Sequence, residues 1–402
     1  MKRTWFIGLV LILWVRGSSW SSAEESLDHV RLQLKWRHQF QFAGYYSAIE
    51  QGFFREEGLE VELLEAEVGQ NAFDVVLSGD AEFGVSNSEI VQRCAEGDPL
   101  VQLAVIYQHS PLVLLSIRDY GIETLHDLVG STLMIEPNSA ELLALFRAEG
   151  IDPDQIDQVP HNFSVNALIG GEVLAISAYY SDEPFDVIQH GHAPVIFTPR
   201  AAGIDFYGDG IFTTRDQLEN HPERVEGFRR ATIRGWEYAL AHPEETIDLI
   251  LSKYSQRKSR QQLEYEAMKT EQLVQADLVP VGYMNPGRWD FIADIFHEVG
   301  LTEDRVDPSS FLYRQASPFL WRKFFVLIVG LAALCLVVSG VAWFLFRSKI
   351  RLEAAIRRKQ EVEGELRRSE AFYRSFYESA PLPFLYWDRD CRIRHWNPAA
   401  ER

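Results

Sequence analysis

The run "FFVLIVGLAALCLVVSGVAWFLF", Phe324 to Phe346, constrains this chain more than any other feature. It carries no charge, and a helix of that length, rising 1.5 Å per residue, crosses the roughly 30 Å of hydrocarbon in a bilayer. Aromatic residues cluster at both of its ends, as they do at membrane–water interfaces. A helix apolar on every face would be unusual in the core of a soluble domain. Arg322 and Lys323 precede the run, whereas Arg347, Lys349, Arg351, Arg357, Arg358 and Lys359 follow it. That excess of positive charge places the C-terminal side in the cytoplasm. The expectation is a single-pass protein of the bacterial inner membrane, with residues from about 24 to 320 periplasmic and those after about 347 cytoplasmic.

The N-terminus agrees. "MKRTWFIGLVLILWVRGSSWSSAEES" has two cationic residues, an apolar stretch from Trp5 to Val15, and small residues up to Ala23. This is the anatomy of a secretory signal over residues 1–23, and Arg16 ends the apolar run too early for a comfortable span. Cleaved signal and uncleaved anchor both remain open, and both export the next segment. Cys94 then lies outside, Cys335 in the membrane and Cys391 inside, so no intrachain disulfide is expected.

A chain of 402 residues with 47% hydrophobic content has room for two or three modules. A net charge of −19 argues against a nucleic-acid partner. Neither G-x-x-x-x-G-K-[ST] nor G-x-G-x-x-G occurs.

From His29 onward, strand and helix patterns alternate. "VRLQLKW" reads as a strand, "AGYYSAIEQGFFREEG" as a helix and "LEVELLEAE" as a strand. "NAFDVVLSG" and "NSEIVQRCAEG" read as helices around the strand "AEFGVS", and "LVQLAVIY" and "PLVLLSIR" as buried strands. The region from about Arg215 to Leu301 is almost wholly helical. Such alternation predicts an α/β fold with covered sheets. Two units, the second beginning near Leu115 and the chain crossing back near Ala178, predict a bilobal fold with its ligand site in the cleft.

"LKWRHQFQFAGYYSAIEQGFFREEGLEVEL", "SGDAEFGVS", "YYSDEPF" and "YMNPGRWDFIADIF" resemble the periplasmic binding domains related to thiamine-pyrimidine synthases and to pyrimidine-precursor or sulfonate uptake proteins. The resemblance covers about Val30 to Leu301 and implies a bilobal periplasmic binding protein type II fold. Uptake-type members hold a pyrimidine between aromatic rings. Carried over, this implies a ligand site built from Trp36, Gln39, Gln41, Phe42 and Tyr46, from Ser86 and Asn87, and from Tyr180, Asp182 and Glu183 at the lobe crossing.

Each of these residues also has a structural reading. Several of the rings at this strand-to-helix turn can be core, whereas Gln39 and Gln41 are costly to bury without partners. Asp182 and Glu183 fit a helix N-cap and its first-turn acid as well as a contact to a ligand amine. His190 and His192 would share one strand face, a weak metal signal without further ligands, and no metal is expected.

The departures from the family pattern are informative. Synthases of this type hold pyridoxal phosphate on a lysine where Ser86 stands, and their substrate histidine falls at Ile90. Their cysteine-rich iron run is absent from "YGDGIFTTRD". Serine provides no amine for a Schiff base, so the domain is expected to bind a small solute without a cofactor. A histidine usual in the uptake-type motif is replaced by Phe42.

After the membrane, "SKIRLEAAIRRKQEVEGELRRSE" is dense in helix formers. It reads either as a solvated basic helix at anionic lipid heads or as a signalling helix in a parallel homodimer, with a loose heptad through Leu352, Ile356, Val362 and Leu366. "AFYRSFYESAPLPFLYWDRDCRIRHWNPAAER" resembles the opening of a PAS sensor domain (α+β), incomplete within these residues. Relatives of that architecture continue into a histidine kinase or a diguanylate cyclase.

The expected order is therefore signal peptide 1–23, periplasmic solute-binding domain 24–318, transmembrane helix 324–346, signalling helix 347–370 and PAS start 371–402. It predicts a sensor for a pyrimidine- or amine-like solute. A thiamine-pyrimidine synthase and a tethered uptake receptor are the alternatives.

Overall fold

A computed structural model describes residues 27–67, 69–136, 139–314, 318–383, 385–396 and 398–400. The expected signal peptide lies outside the described residues. One unit ends at Arg314 and a second comprises the rest of the chain.

In the first unit the strands come in three groups. First are β1 (Asp28–Gln33), β2 (Leu59–Leu64), β3 (Phe83–Ser86) and β4 (Leu100–Val105). Next are β5 (Leu112–Ile117), β6 (Thr132–Ile135), β7 (Asp157–Pro160), β8 (Ala175–Tyr179) and β9 (Pro194–Phe197). Last is β10 (Gly210–Thr214). They form two five-stranded sheets, ordered β2-β1-β3-β10-β4 and β7-β6-β8-β5-β9. The second repeats the first: β10 lies antiparallel between β3 and β4, and β5 lies antiparallel between β8 and β9. β4 and β5 are buried at every residue, as continuous apolar strands covered on both faces must be.

The chain passes from the first lobe to the second over residues 106–111 and returns over 198–209. The return comes later than the expected position near Ala178, which sits in β8 in the middle of the second sheet. In each sheet the antiparallel strand is the one laid down just after a crossing. The second lobe is complete only once β9 pairs with β5.

Helices Pro222–Ala241, Pro243–Leu249, Arg260–Val274 and Pro286–Glu298 form the helical third. Helix Ala43–Glu50 packs on Pro222–Ala241 through two glycines. A Cβ on Gly235 would lie 2.1 Å from the Gly44 carbonyl oxygen, and one on Gly44 would lie 2.2 Å from Trp236 Cγ. The unit's last residues run beside β4. Gln102 N donates to Phe311 O at 2.8 Å, and Tyr313 N donates to Gln102 O at 2.9 Å.

In the second unit one helix runs from Pro318 to Ser379, so the expected membrane span and the expected linker are a single element without a break at 347. A hairpin follows, β11 (Leu385–Trp387) and β12 (Ile393–Trp396), turned by the Asp388 carboxylate, which accepts from the amides of Asp390 and Arg392.

Candidate ligand-binding site

Three parallel strands end at one place, as ligand sites in open α/β sheets require. β1 ends before Lys35 and Trp36, and a 3-10 turn at Phe40–Phe42 follows, with Gln39 just before it and Gln41 at its centre. β3 ends at Ser86, with Asn87 next, and β8 ends at Tyr179, with Asp182 and Glu183 next. A cavity of about 310 Å³ lies between these ends and the opposing loops.

Seven of the ten expected residues line it: Trp36, Gln39, Gln41, Ser86, Asn87, Asp182 and Glu183. Phe42 and Tyr46 do not. Both are fully buried, in the first-lobe core cluster that includes Trp236. The Tyr46 hydroxyl pairs with His38 Nδ1 at 2.9 Å. Tyr180 lies outside the cavity, where its hydroxyl accepts from Lys269 Nζ at 2.6 Å. The residues 190–192 form a turn, with Gly191 at φ +86°, and not the expected strand face. His190 caps its own helix through Asp186 O, and His192 pairs with Asp119.

A buried polar chain organises the floor. Arg257 donates to Gln39 Oε1 at 2.6 Å, Gln39 Nε2 to Gln41 Oε1 at 2.9 Å, and Gln41 Nε2 to Asp209 Oδ2 at 2.6 Å. The other Asp209 oxygen meets Lys35 Nζ at 3.3 Å, and Lys35 reaches Tyr179 Oη at 2.5 Å. The two glutamines thus find the partners that their burial demands. Ser86 Oγ donates to Gln102 Oε1 at 2.7 Å.

Charge in the cavity is one-sided. Glu67, Glu89, Glu136, Asp182 and Glu183 line it, against Lys35 as the one cation among the described lining residues. Burial alone would push the Lys35 ammonium down, but Asp209, Tyr179 and Glu136 outweigh it and hold the group above its ordinary value. Burial pushes the carboxyls of Glu136 and Glu183 up, with Lys35 opposing at Glu136 and Asp182 reinforcing at Glu183.

Asp182 stands at the N-cap of helix Glu183–Gln189, yet its side chain makes no cap bond. It pairs across the lobes with buried Lys258, which also pairs with Glu266. Gln262 to Asp186 at 2.8 Å and the ring pair Trp36–Phe163 at 4.9 Å join the lobes as well. Phe163 has φ +58°, a conformation costly for an aromatic residue and often kept at functional sites. Lys35, Phe163, Tyr179, Glu89 and Glu136 were not among the expected residues. The nearest sequence signal was Lys35 beside Trp36 at a strand end.

The profile of the family described as NMT1/THI5 like matches residues 39–246 of the 402. A formylaminopyrimidine-binding protein of Halalkalibacterium halodurans is 24% identical over 239 residues, 58% of this chain and 72% of its own length. Riboflavin-binding protein RibY of Chloroflexus aurantiacus is 25% identical over 300 residues, 71% of this chain and 85% of its own. Among solved structures, the alkanesulfonate-binding protein SsuA from Xanthomonas axonopodis pv. citri, bound to MOPS, superposes with a TM-score of 0.58 at 13% identity. That match covers 71% of this chain and 98% of SsuA.

Proposed function

Because the chain belongs to the NMT1/THI5-like family, we propose that its first unit captures a small, flat, nitrogen-bearing solute, and that the whole chain is a membrane-anchored sensor. The observation that carries the reading is the lining of the cleft: amides, a ring pair and five carboxylates, with its one ammonium already committed to Asp209. Carboxyl groups accept from amines and ring N–H groups, and those that stay charged and unpaired repel sulfonates and phosphates in a low-dielectric cleft. Among the ligands named for the relatives, this favours the aminopyrimidine type.

A flat molecule between Trp36 and Phe163 needs its two ring neighbours about 7 Å apart, twice a stacking distance. The rings stand at 4.9 Å, so binding would part them and reset the lobes. That change can bias the tethered helix only by the ligand's difference in affinity between lobe arrangements. One apolar helix is compatible with a membrane anchor. The rest of the reading rests on segment order: a periplasmic receptor, a single span, a signalling helix in a homodimer, and a PAS-linked output such as a histidine kinase or diguanylate cyclase beyond these residues. It assigns no chemistry to the chain. Ser86, at the position of the synthase lysine, donates its hydroxyl to Gln102.

The test is thermal unfolding of residues 24–318 against aminopyrimidines, thiamine, riboflavin, sulfonates and pyridoxal phosphate. Saturation at 100 times Kd adds about 2.7 kcal/mol, several degrees in Tm. A shift with an aminopyrimidine and none with sulfonates is expected. A shift with sulfonates alone refutes the charge argument, and a new absorbance band with pyridoxal phosphate revives the synthase.

A further inference from the structure

Phe163 is the second-lobe ring that faces Trp36 across the cleft. It sits at φ +58°, a conformation that an aromatic residue keeps only where its surroundings hold it. A flat solute that parts the two rings takes the Trp36 contact away, so the hold on Phe163 must come from its own lobe.

His161 supplies it. The Phe163 amide donates to His161 Nδ1 at 2.9 Å, and the two rings pack with centroids 4.8 Å apart. The other imidazole nitrogen, Nε2, lies 2.8 Å from the Ser177 carbonyl oxygen. An amide N–H only donates and a carbonyl oxygen only accepts, so Nδ1 is bare and Nε2 carries the proton. The partners thereby fix the neutral Nε2–H tautomer. Ser177 is fully buried in β8, and its hydroxyl accepts from the Glu136 amide at 2.9 Å. One serine thus anchors both the histidine that holds Phe163 and the main chain of a second lining residue, Glu136.

We propose that His161 is the positioning residue that seats Phe163 against the ligand, and that it does so only as the neutral Nε2–H tautomer, so that acid unseats the ring and weakens the grip on a flat solute. An imidazolium turns a second N–H toward the Phe163 amide, which has no acceptor to offer there, and the bond becomes a repulsion. The inference rests on the cleft reading above.

The surroundings of the imidazole set the direction of its titration. Burial lowers the His161 pKa below its ordinary 6.5, the Ser177 hydrogen bond opposing. On the elements packed around it the titratable groups are Asp157 on β7, Glu136 after β6 and Tyr179 at the end of β8, with Lys35 reaching Tyr179 from the first lobe. None of these groups shifts the ring. The seat is therefore intact at pH 7 and is lost as pH falls through the lowered value.

The experiment uses the full chain in lipid nanodiscs between pH 7.5 and 4.5. It compares the parent with His161→Gln, whose amide accepts and donates at once without titrating, and with His161→Phe, which keeps a ring and loses both bonds. Hydrogen exchange reads protection of the Phe163 amide without ligand, relative to an unfolded amide at each pH. Calorimetric titration with 4-amino-2-methylpyrimidine reads affinity. Taking the ratio to His161→Gln at each pH removes the titration of the pyrimidine and of Glu136, whose carboxyl burial pushes up. Expected at pH 7.5 are protection and similar affinity in the parent and His161→Gln, against lost protection and up to about tenfold weaker binding in His161→Phe. At pH 4.5 the parent should match His161→Phe, while His161→Gln stays protected. A Phe163 amide equally protected in His161→Phe, binding that this substitution leaves unchanged, or an acid loss in His161→Gln as large as in the parent overturns the proposal. If no form binds the pyrimidine, the cleft reading fails, and the exchange still decides whether His161 holds Phe163.

Discussion

Lys35 Nζ, 2.5 Å from the Tyr179 hydroxyl, joins the end of β1 in one lobe to the end of β8 in the other. The same ammonium meets Asp209 in the return crossing, where the carboxylate is 2% exposed. Removing one partner of a buried pair strands the other charge. Lys35→Met should therefore cost about 3–5 kcal/mol, and Tyr179→Phe, which deletes one hydrogen bond, about 1 kcal/mol. The Lys35 pKa is raised above its ordinary 10.5, so its contribution is complete below that value and lost only as pH rises past it. Urea unfolding at pH 7 checks the ranking, and equal losses in the two variants would contradict it.

Gly235 and Gly44 let two helices touch at backbone distance. A methyl on Gly235 would sit 2.1 Å from the Gly44 carbonyl and 2.6 Å from Ala48 Cβ, a clash that only a backbone shift relieves. Gly235→Ala should destabilise the domain by about 1–3 kcal/mol or more, despite alanine's better helix propensity. A rise in Tm would show that the helices are free to separate.

Glu266 gives the stability a pH dependence. Burial pushes its carboxyl up to about 7 against the pull of Lys258, from an ordinary 4.5. Between about 4.5 and 7 the native state holds a proton that the unfolded chain releases, so this group's contribution falls as pH rises through that window. Glu266→Gln removes the term. The variant should gain relative to the parent as pH goes from 5 to 8, measured by urea unfolding at fixed ionic strength. A difference that does not change with pH would remove Glu266 as its source.

Trp36 and Phe163 face each other from opposite lobes. Stacking on a ring contributes about 0.5–1.5 kcal/mol beyond area. Either residue replaced by alanine should weaken an aminopyrimidine up to about tenfold, and both together by more than either. Tryptophan fluorescence follows binding to Phe163→Ala, and calorimetry follows binding to Trp36→Ala. Unchanged affinity in both variants would place the ligand elsewhere.

What the sequence disclosed of the site follows from the cost of burial. Gln39 and Gln41 stood out because amides between aromatic residues need partners, and the partners exist in Arg257 and Asp209. Those partners lie 218 and 168 positions away, and no local pattern connects them. Lys35 escaped for the same reason, since its reach to Asp209 and Tyr179 depends on both crossings. Rings at a strand end suit either side, so sequence alone leaves Phe42 and Tyr46 as cleft candidates; the 3-10 turn Phe40–Phe42 and helix Ala43–Glu50 send them inward. The order of elements was legible, because strand and helix periods differ. The return crossing was not, because β9 is a short strand and only its pairing with β5 shows which sheet it completes.

One strand serves two purposes at once. β4 runs straight into the first crossing at residue 106, and its Gln102 holds the departing segment Phe311–Tyr313 by two backbone bonds. The first lobe thus holds both ends of the first unit, while the second hangs from it by two short strips of chain. Among the described strands, β4 is the one that both launches a crossing and pins the unit's last residues.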